Sequence, residues 1–268
     1  MLIQRLLVAI LLIPIGVTFI ALGGWPYAVF ITLTLAFASW EYWRIYRTGG
    51  HSPSPSLLIG GAVLLAMTRF LFDFHNADAA LAGLVLAAIG LHTIHLENGD
   101  MHSATDFTIT IAGILYIGWL GSYFISLRNI PDGLWWTMLV IPTVALADAG
   151  AYFVGSRLGK RQLAPLISPK KTWEGYIGGI VIGTLGGAGL AVLWGLMAPA
   201  ITPQRGLIMG LVLSVFSIMG DLGESMIKRQ FKIKDSSNIL PGHGGIFDRI
   251  DSWLWAAPIG FYLILWLW

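Results

Sequence analysis

The densest group of charged residues in this chain lies between Asp221 and Asp251. The segment holds five acidic residues, five basic residues and a histidine, although only 11% of the chain is charged. Apolar stretches lie on both sides of it, and an ionised side chain inside a bilayer costs about 2.5–3.5 kcal/mol on insertion scales. We therefore interpret the segment as a candidate functional site. The alternative is an ordinary basic loop at a membrane surface.

The spacing of the polar residues predicts two helix ends that carry carboxylates. One face of the first helix would carry four polar residues at i, i+3, i+4 and i+7: Asp221, Glu224, Ser225 and Lys228. Asp248 and Asp251 are three apart where the next apolar stretch begins, which places both on the first turn of a helix. Two such ends at one membrane surface would make an all-oxygen site, which suits Mg²⁺. Zinc is disfavoured, because the chain lacks cysteine and offers only His243 nearby.

Two upstream motifs add an acid and two cations. Asp148 interrupts an apolar run and shares a helix face with Tyr152, so it must find a cation, a metal ion or hydrogen-bond donors. A structural hydrogen bond to a neighbouring helix is the alternative for Asp148. Lys170 and Lys171 precede Thr172, which can cap a helix, and a helix amino terminus favours anions such as phosphate. The alternative for the lysines is the ordinary excess of cations in cytoplasmic loops.

The residue types around these acids are those that phosphoryl or nucleotidyl transfer requires. Carboxylates can hold a metal ion, and cations can bind phosphate oxygens. The cations of the segment are Lys228, Arg229, Lys232, Lys234 and Arg249. The glycine-rich turn at 241–245 would let the backbone approach a ligand closely. A covalent serine or cysteine mechanism is disfavoured, since no Ser-His-Asp arrangement is evident and cysteine is absent.

The elements that must position these residues are apolar helices. Hydrophobic residues make up 56% of the chain, and repeated apolar stretches of about 20 residues indicate an all-α, polytopic integral membrane protein. We predict about nine transmembrane helices, at 3–23, 26–45, 56–72, 78–97, 106–127, 133–155, 175–199, 206–227 and 251–267. They form a single membrane domain, 1–268. Within it, 1–130 is mainly scaffold and lipid contact, and 140–260 holds the catalytic spans and cytoplasmic loops.

The distribution of Lys and Arg predicts the orientation. Thirteen cations fall on one side: Arg5, Arg44, Arg47, Arg157, Lys160, Arg161, Lys170, Lys171, Lys228, Arg229, Lys232, Lys234 and Arg249. Three fall on the other: Arg69, Arg128 and Arg205. The amino terminus and the charged connectors are therefore expected in the cytoplasm. We expect an integral protein of the plasma (inner) membrane, with its active site facing the cytoplasm.

Little chemistry is expected in the first half of the chain. Glu41 stands between Trp40 and Trp43 and is interpreted as an interfacial anchor at the end of a span. His92 and His95 with Glu97 could bind a metal ion, but a span end that faces the lipid headgroups explains them equally well. In the second half, the glycines of span 175–199 indicate tight helix packing and are compatible with a homodimer.

At Ser225–Asp251 the sequence resembles a known family. The segment reads SMIKRQFKIKDSSNILPGHGGIFDRID, which is similar along its whole length to the signature of phosphatidate cytidylyltransferase (CDP-diacylglycerol synthase). The motifs DAGAY at 148–152 and SPKKTWEG at 168–175 resemble the upstream motifs of the same family. The resemblance covers about residues 145–260.

The resemblance implies transfer of CMP from CTP to phosphatidate, which gives CDP-diacylglycerol and pyrophosphate in phospholipid biosynthesis. It also implies Mg²⁺ as the cofactor, and whether a second cation binds stays open. On this reading Asp221 and Asp248 are the leading metal ligands. Asp251 and Asp148 are either further ligands or residues that support the ligands from behind. The expected phosphate-binding residues are Lys170, Lys171, Lys228, Arg229 and Arg249. The expected hydrogen-bond donors to phosphate are Ser225 and His243, with Lys234 as a further substrate-binding residue.

Two other functions stay open at this point. A related membrane enzyme could use CTP with another acceptor, such as an unsaturated archaeal ether lipid or a polyprenol. A transporter could use Asp148 and Asp221 as ion-coupling acids, although it would favour broken helices near the bilayer midplane. The expected partners are CTP, phosphatidate and membrane lipids, and no nucleic acid.

Overall fold

The computed structural model describes residues 2–73, 76–240, 242 and 244–268, with side chains from Ile10 onward. The helices of these residues are α1 (Leu2–Leu22), α2 (Gly24–Thr48), α3 (Pro55–Phe72), α4 (Ala77–Glu97), α5 (Ser103–Gly113), α6 (Leu120–Asn129), α7 (Gly133–Leu158), α8 (Trp173–Trp194), α9 (Pro203–Phe216), α10 (Ile218–Gln230) and α11 (Phe247–Leu267). A π-helical turn, Ile114–Trp119, joins α5 to α6. The strands β1 (Gln162–Ala164) and β2 (Ser168–Thr172) form an antiparallel hairpin. The predicted all-α class is confirmed, and the hairpin is a small addition to it.

Side-chain caps define the start of three helices. Ser54 accepts a hydrogen bond from the Leu57 amide, and Thr202 accepts one from the Arg205 amide. In both helices proline follows the cap, where its missing N–H costs nothing. Thr172 caps α8 in the same way and confirms the helix start predicted from the sequence.

Seven segments in the described part of the chain are long and apolar enough to cross a membrane. They are Pro55–Phe72, Ala77–Glu97, Ser103–Asn129, Gly133–Leu158, Trp173–Trp194, Pro203–Gln230 and Phe247–Leu267. Each overlaps a predicted span. The predicted total of about nine is not confirmed, because the apolar helix Ile10–Leu22 is shorter and α2 is not among the seven.

The chain divides into two compact units. The first comprises Met1–Ser126 and Gln230–Ile250. Its core is built on α2 and α3, where Leu35, Leu58 and Leu65 are fully buried. Tyr42 is also buried and donates a hydrogen bond to the Ile109 carbonyl, which ties α2 to α5.

The second unit comprises Leu127–Arg229 and Asp251–Trp268. Its helices α7, α8 and α9 pack through one glycine face of α8, formed by Gly175, Gly179, Gly183 and Gly187. A Cβ atom on Gly179 would lie 2.8 Å from the Ala147 carbonyl oxygen, and one on Gly187 would lie 2.7 Å from that of Gly206. The predicted close packing of this span is therefore confirmed. The glycine face is used within the chain, so it no longer supports a homodimer, which stays a prediction.

Candidate functional site

The second unit brings the backbones of α10 and α11 into contact at Gly220. A Cβ atom on Gly220 would lie 2.7 Å from the Asp251 carbonyl carbon and 2.8 Å from the Ser252 Cα atom. Only a residue without a side chain allows this approach. The contact places Asp221, the next residue of α10, beside the first turns of α11.

An acidic cluster with one lysine forms at this crossing. Asp148 of α7 interacts electrostatically with Lys171, Asp221 and Asp251. The Lys171 Nζ atom lies 2.6 Å from an Asp221 carboxylate oxygen, and both side chains are partly exposed. The cluster therefore combines one residue of each upstream motif, Asp148 and Lys171, with Asp251 of the signature and with Asp221 of α10.

The predicted polar stripe of α10 is confirmed as a helix face. The Ser225 hydroxyl, which is buried, donates to the Asp221 carboxylate over 3.1 Å. Lys228 and Glu224 are also buried and form an ion pair of 3.0 Å. Ser225 therefore orients Asp221, and the Lys228 charge acts on Asp251 from the same face.

The β1–β2 hairpin lies against α10 through Arg229. The Arg229 Nε atom donates to the Ile167 carbonyl oxygen over 3.1 Å. At the base of the hairpin, Glu174 accepts hydrogen bonds from the Lys160 and Arg161 amides. Lys170 is exposed on β2, one residue from the Lys171–Asp221 ion pair. The hairpin thus fixes the backbone that carries both lysines.

Other predicted site residues belong to the first unit. The Asp248 carboxylate accepts hydrogen bonds from the Ser236 amide (2.8 Å), the Ser236 hydroxyl (2.9 Å) and the Gly245 amide (2.7 Å). Asp248 therefore organises the loop that precedes α11. Lys234 and Arg249 are exposed. His243 lies outside the described residues.

Sequence reasoning missed one residue of this loop region. Glu41 of α2 is fully buried and accepts hydrogen bonds from the loop before α11, so its interpretation as an interfacial anchor is wrong. The signal was available, since Glu41 is the only acid in the predicted span 26–45. An acid within an apolar run is rare and usually has a partner. The same reasoning singles out Asp148 as a candidate site residue.

The chemistry of the acidic cluster fits a hard divalent cation. Asp148, Asp221 and Asp251 offer carboxylate oxygens, and Mg²⁺ is commonly held by one or two carboxylates together with substrate phosphates. Among the described residues, no group of three or more acids or histidines is arranged tightly enough to hold an ion by itself. A divalent cation at this cluster would therefore need ligands besides these carboxylates, such as phosphate oxygens or water.

Apolar helices that carry a carboxylate–lysine cluster define an integral membrane protein with the polar groups of an enzyme. The chain belongs to the cytidylyltransferase family, which matches residues 3–267. The resemblance seen in the signature is thereby confirmed.

Relatives from distant bacteria match almost the whole chain. It is 38% identical to the phosphatidate cytidylyltransferase of Bacillus subtilis, over 97% of each chain. It is 31% identical to that of Synechocystis, over 98% of this chain and 96% of the relative. With that of Pseudomonas aeruginosa the identity is 34%, over 99% and 97%.

Proposed function

We propose that this protein is a phosphatidate cytidylyltransferase, which transfers CMP from CTP to phosphatidate and releases pyrophosphate. The observation that carries the proposal is the meeting of three sequence motifs in one cluster. Asp148, Lys171 and Asp251 come one from each motif, and Asp148 interacts electrostatically with the other two in the second unit. The near full-length identity to phosphatidate cytidylyltransferases supports the same substrates.

The reaction needs charge neutralisation more than it needs a base. A phosphate monoester has a second pKa of about 6, so phosphatidate is largely dianionic at neutral pH. One of its oxygens forms a bond to the α-phosphorus of CTP, and the bond from that phosphorus to the leaving oxygen breaks in line. The electron pair leaves with pyrophosphate. The obstacle is the approach of two polyanions, which cationic side chains and a metal ion reduce.

We propose Mg²⁺ as the cation, which Asp221 and Asp251 would hold together with phosphate oxygens of the nucleotide. Asp148 interacts electrostatically with both carboxylates and would act on the ion through its charge. When bound, Mg²⁺ supplies positive charge to the phosphate oxygens. Ser225 keeps the Asp221 carboxylate oriented through its hydrogen bond. The ligand role of Asp248 stays a prediction from the sequence, which its substitution tests separately.

The cations have separate proposed roles. Lys171 forms an ion pair with Asp221 and pairs with a triphosphate oxygen when the nucleotide binds. Lys170, which is exposed, binds an outer phosphate oxygen. Lys228 is buried against Glu224 and acts on the cluster through its charge. Arg229 holds the hairpin, so its guanidinium supports Lys171 as well as binding phosphate.

We also propose that the cluster faces the cytoplasm in the bacterial inner membrane, as the excess of Lys and Arg in its connectors favours. The chain has no cysteine, so a single Lys160→Cys variant reports on one position only. An impermeant maleimide should label it in inverted inner-membrane vesicles and not in intact spheroplasts. Labelling in the reverse pattern contradicts the orientation.

The substrate proposal is tested with purified protein and labelled CTP. Phosphatidate should give labelled CDP-diacylglycerol, while a polyprenyl phosphate or an archaeal ether-lipid phosphate should give little product. If the protein prefers one of the other acceptors, phosphatidate is not its substrate, but the proposed transfer of CMP from CTP still holds. Exchange of a solute across vesicles without consumption of CTP would support the transporter instead.

A further inference from the structure

We propose that Glu41 is a positioning residue for cytidylyl transfer, which holds the described residues of the signature loop, 236–240, 242 and 244–247, in the shape the reaction requires. The inference rests on the proposed function, because the loop lies within the family signature. It assigns a role to a residue about 200 positions away in the sequence, on α2.

Glu41 is surrounded by donors from both ends of the loop. Its side chain has no exposed surface. At the start of the loop it accepts hydrogen bonds from the Ser236 hydroxyl over 3.1 Å and from the Ser237 hydroxyl. At the end of the loop it accepts from the Ile246 amide over 3.0 Å and the Phe247 amide over 2.6 Å.

Four donors match the acceptor capacity of one carboxylate. An ionised carboxylate accepts through both oxygens and donates through neither. The Ile246 and Phe247 amides stand at the amino terminus of α11, where the first N–H groups of a helix have no partner within the helix. Glu41 satisfies them from another helix and closes the loop.

The contacts connect Glu41 to Asp248. The Ser236 hydroxyl lies within hydrogen-bond distance of both carboxylates, 3.1 Å from Glu41 and 2.9 Å from Asp248. Gly245 also packs against Glu41, since a Cβ atom there would lie 2.6 Å from the carboxyl carbon of Glu41. A change at Glu41 therefore moves the residues that orient Asp248.

A matched control exists in the same unit. Asp106 is buried to a similar degree and accepts a hydrogen bond from the Ser52 amide over 2.9 Å. It thus anchors a different loop, which carries no signature residue. Asp106→Asn and Glu41→Gln are the same kind of change, in which the shape is kept and one acceptor oxygen becomes a donor.

The test compares kcat for CDP-diacylglycerol formation and hydrogen exchange of the 236–248 peptide in purified, folded protein. Glu41→Gln should lower kcat about 100-fold, the effect of misplacing reacting groups by about 1 Å, and should speed exchange of this peptide. Asp106→Asn should leave both unchanged, even where its melting temperature falls as much as that of Glu41→Gln. A Glu41→Gln protein with wild-type kcat and wild-type exchange overturns the proposal.

A milder variant covers the case in which Glu41→Gln fails to fold. Ser237→Ala removes one donor and should lower kcat about tenfold, the value of one hydrogen bond to a charged group. Wild-type kcat and exchange in Ser237→Ala then overturn the proposal. If the wild-type protein makes no CDP-diacylglycerol, the proposed function is wrong, and Glu41 then has no role in that reaction. The exchange comparison then still shows whether Glu41 holds the loop.

Discussion

Substituting Gly220 by alanine tests whether the crossing of α10 and α11 builds the site. The new methyl group would lie 2.7 Å from the Asp251 carbonyl carbon and 2.8 Å from the Ser252 Cα atom, whereas carbon atoms pack best at about 3.5–4.0 Å. The two helices would therefore have to separate by about 1 Å. Overpacking of this kind typically costs about 1–3 kcal/mol of stability.

The same displacement moves Asp221 relative to Asp251. A misplacement of about 1 Å can lower a reaction rate about 100-fold, so we expect a loss of that size in CDP-diacylglycerol formation. Gly189→Ala is the matched control, because it adds the same methyl group to α8 where nothing lies within 4 Å. Alanine should stabilise that helix by up to about 1 kcal/mol.

Both variants should be purified and compared by thermal unfolding and by turnover of labelled CTP. If Gly220→Ala keeps its turnover within about twofold of the Gly189→Ala protein, the close crossing is not needed for activity and the geometric argument is refuted.

Two further predictions concern the charges of the site. Asp221→Asn and Asp248→Asn should each lower turnover by at least about 10²–10³-fold, the usual effect of losing one preorganised electrostatic group. Both proteins should stay folded, and Asp132→Asn should keep wild-type turnover; near-normal activity in either site variant removes that residue from the ligand set. Lys171→Met removes the 2.6 Å ion pair with Asp221. Since the pair is partly exposed, its loss should cost less than about 1 kcal/mol of stability, but the KM for CTP should rise about tenfold or more. Lys160→Met is the control, and an equal rise in KM for both variants would indicate a general effect of surface charge.

Much of the site region was predictable because its cues are local. The period of Asp221, Ser225 and Lys228 indicated one helix face, and Thr172 indicated the start of α8. The glycine spacing of span 175–199 indicated close packing. Each of these cues lies within one helix or at its end, where the pattern of side chains follows directly from helix geometry.

The rest depends on contacts between residues far apart in the chain. In the sequence, Glu41 resembles an interfacial residue, because its hydrogen-bond donors lie in a loop about 200 positions later. The charge pattern groups Arg69 with the outer cations, yet the residue is fully buried. Its guanidinium lies 3.9 Å from the Tyr123 ring centroid and donates a hydrogen bond to the Ser126 hydroxyl. The β1–β2 hairpin was missed because strands of three and five residues are too short to show alternation.

The most direct test of the account is pyrophosphate release from CTP by the purified protein, with phosphatidate and Mg²⁺ omitted in turn. We expect release only when both are present, and full recovery when Mg²⁺ is added back after chelation. Undiminished release in excess EDTA would contradict the proposal that the carboxylates of α7, α10 and α11 bring a divalent cation to the nucleotide.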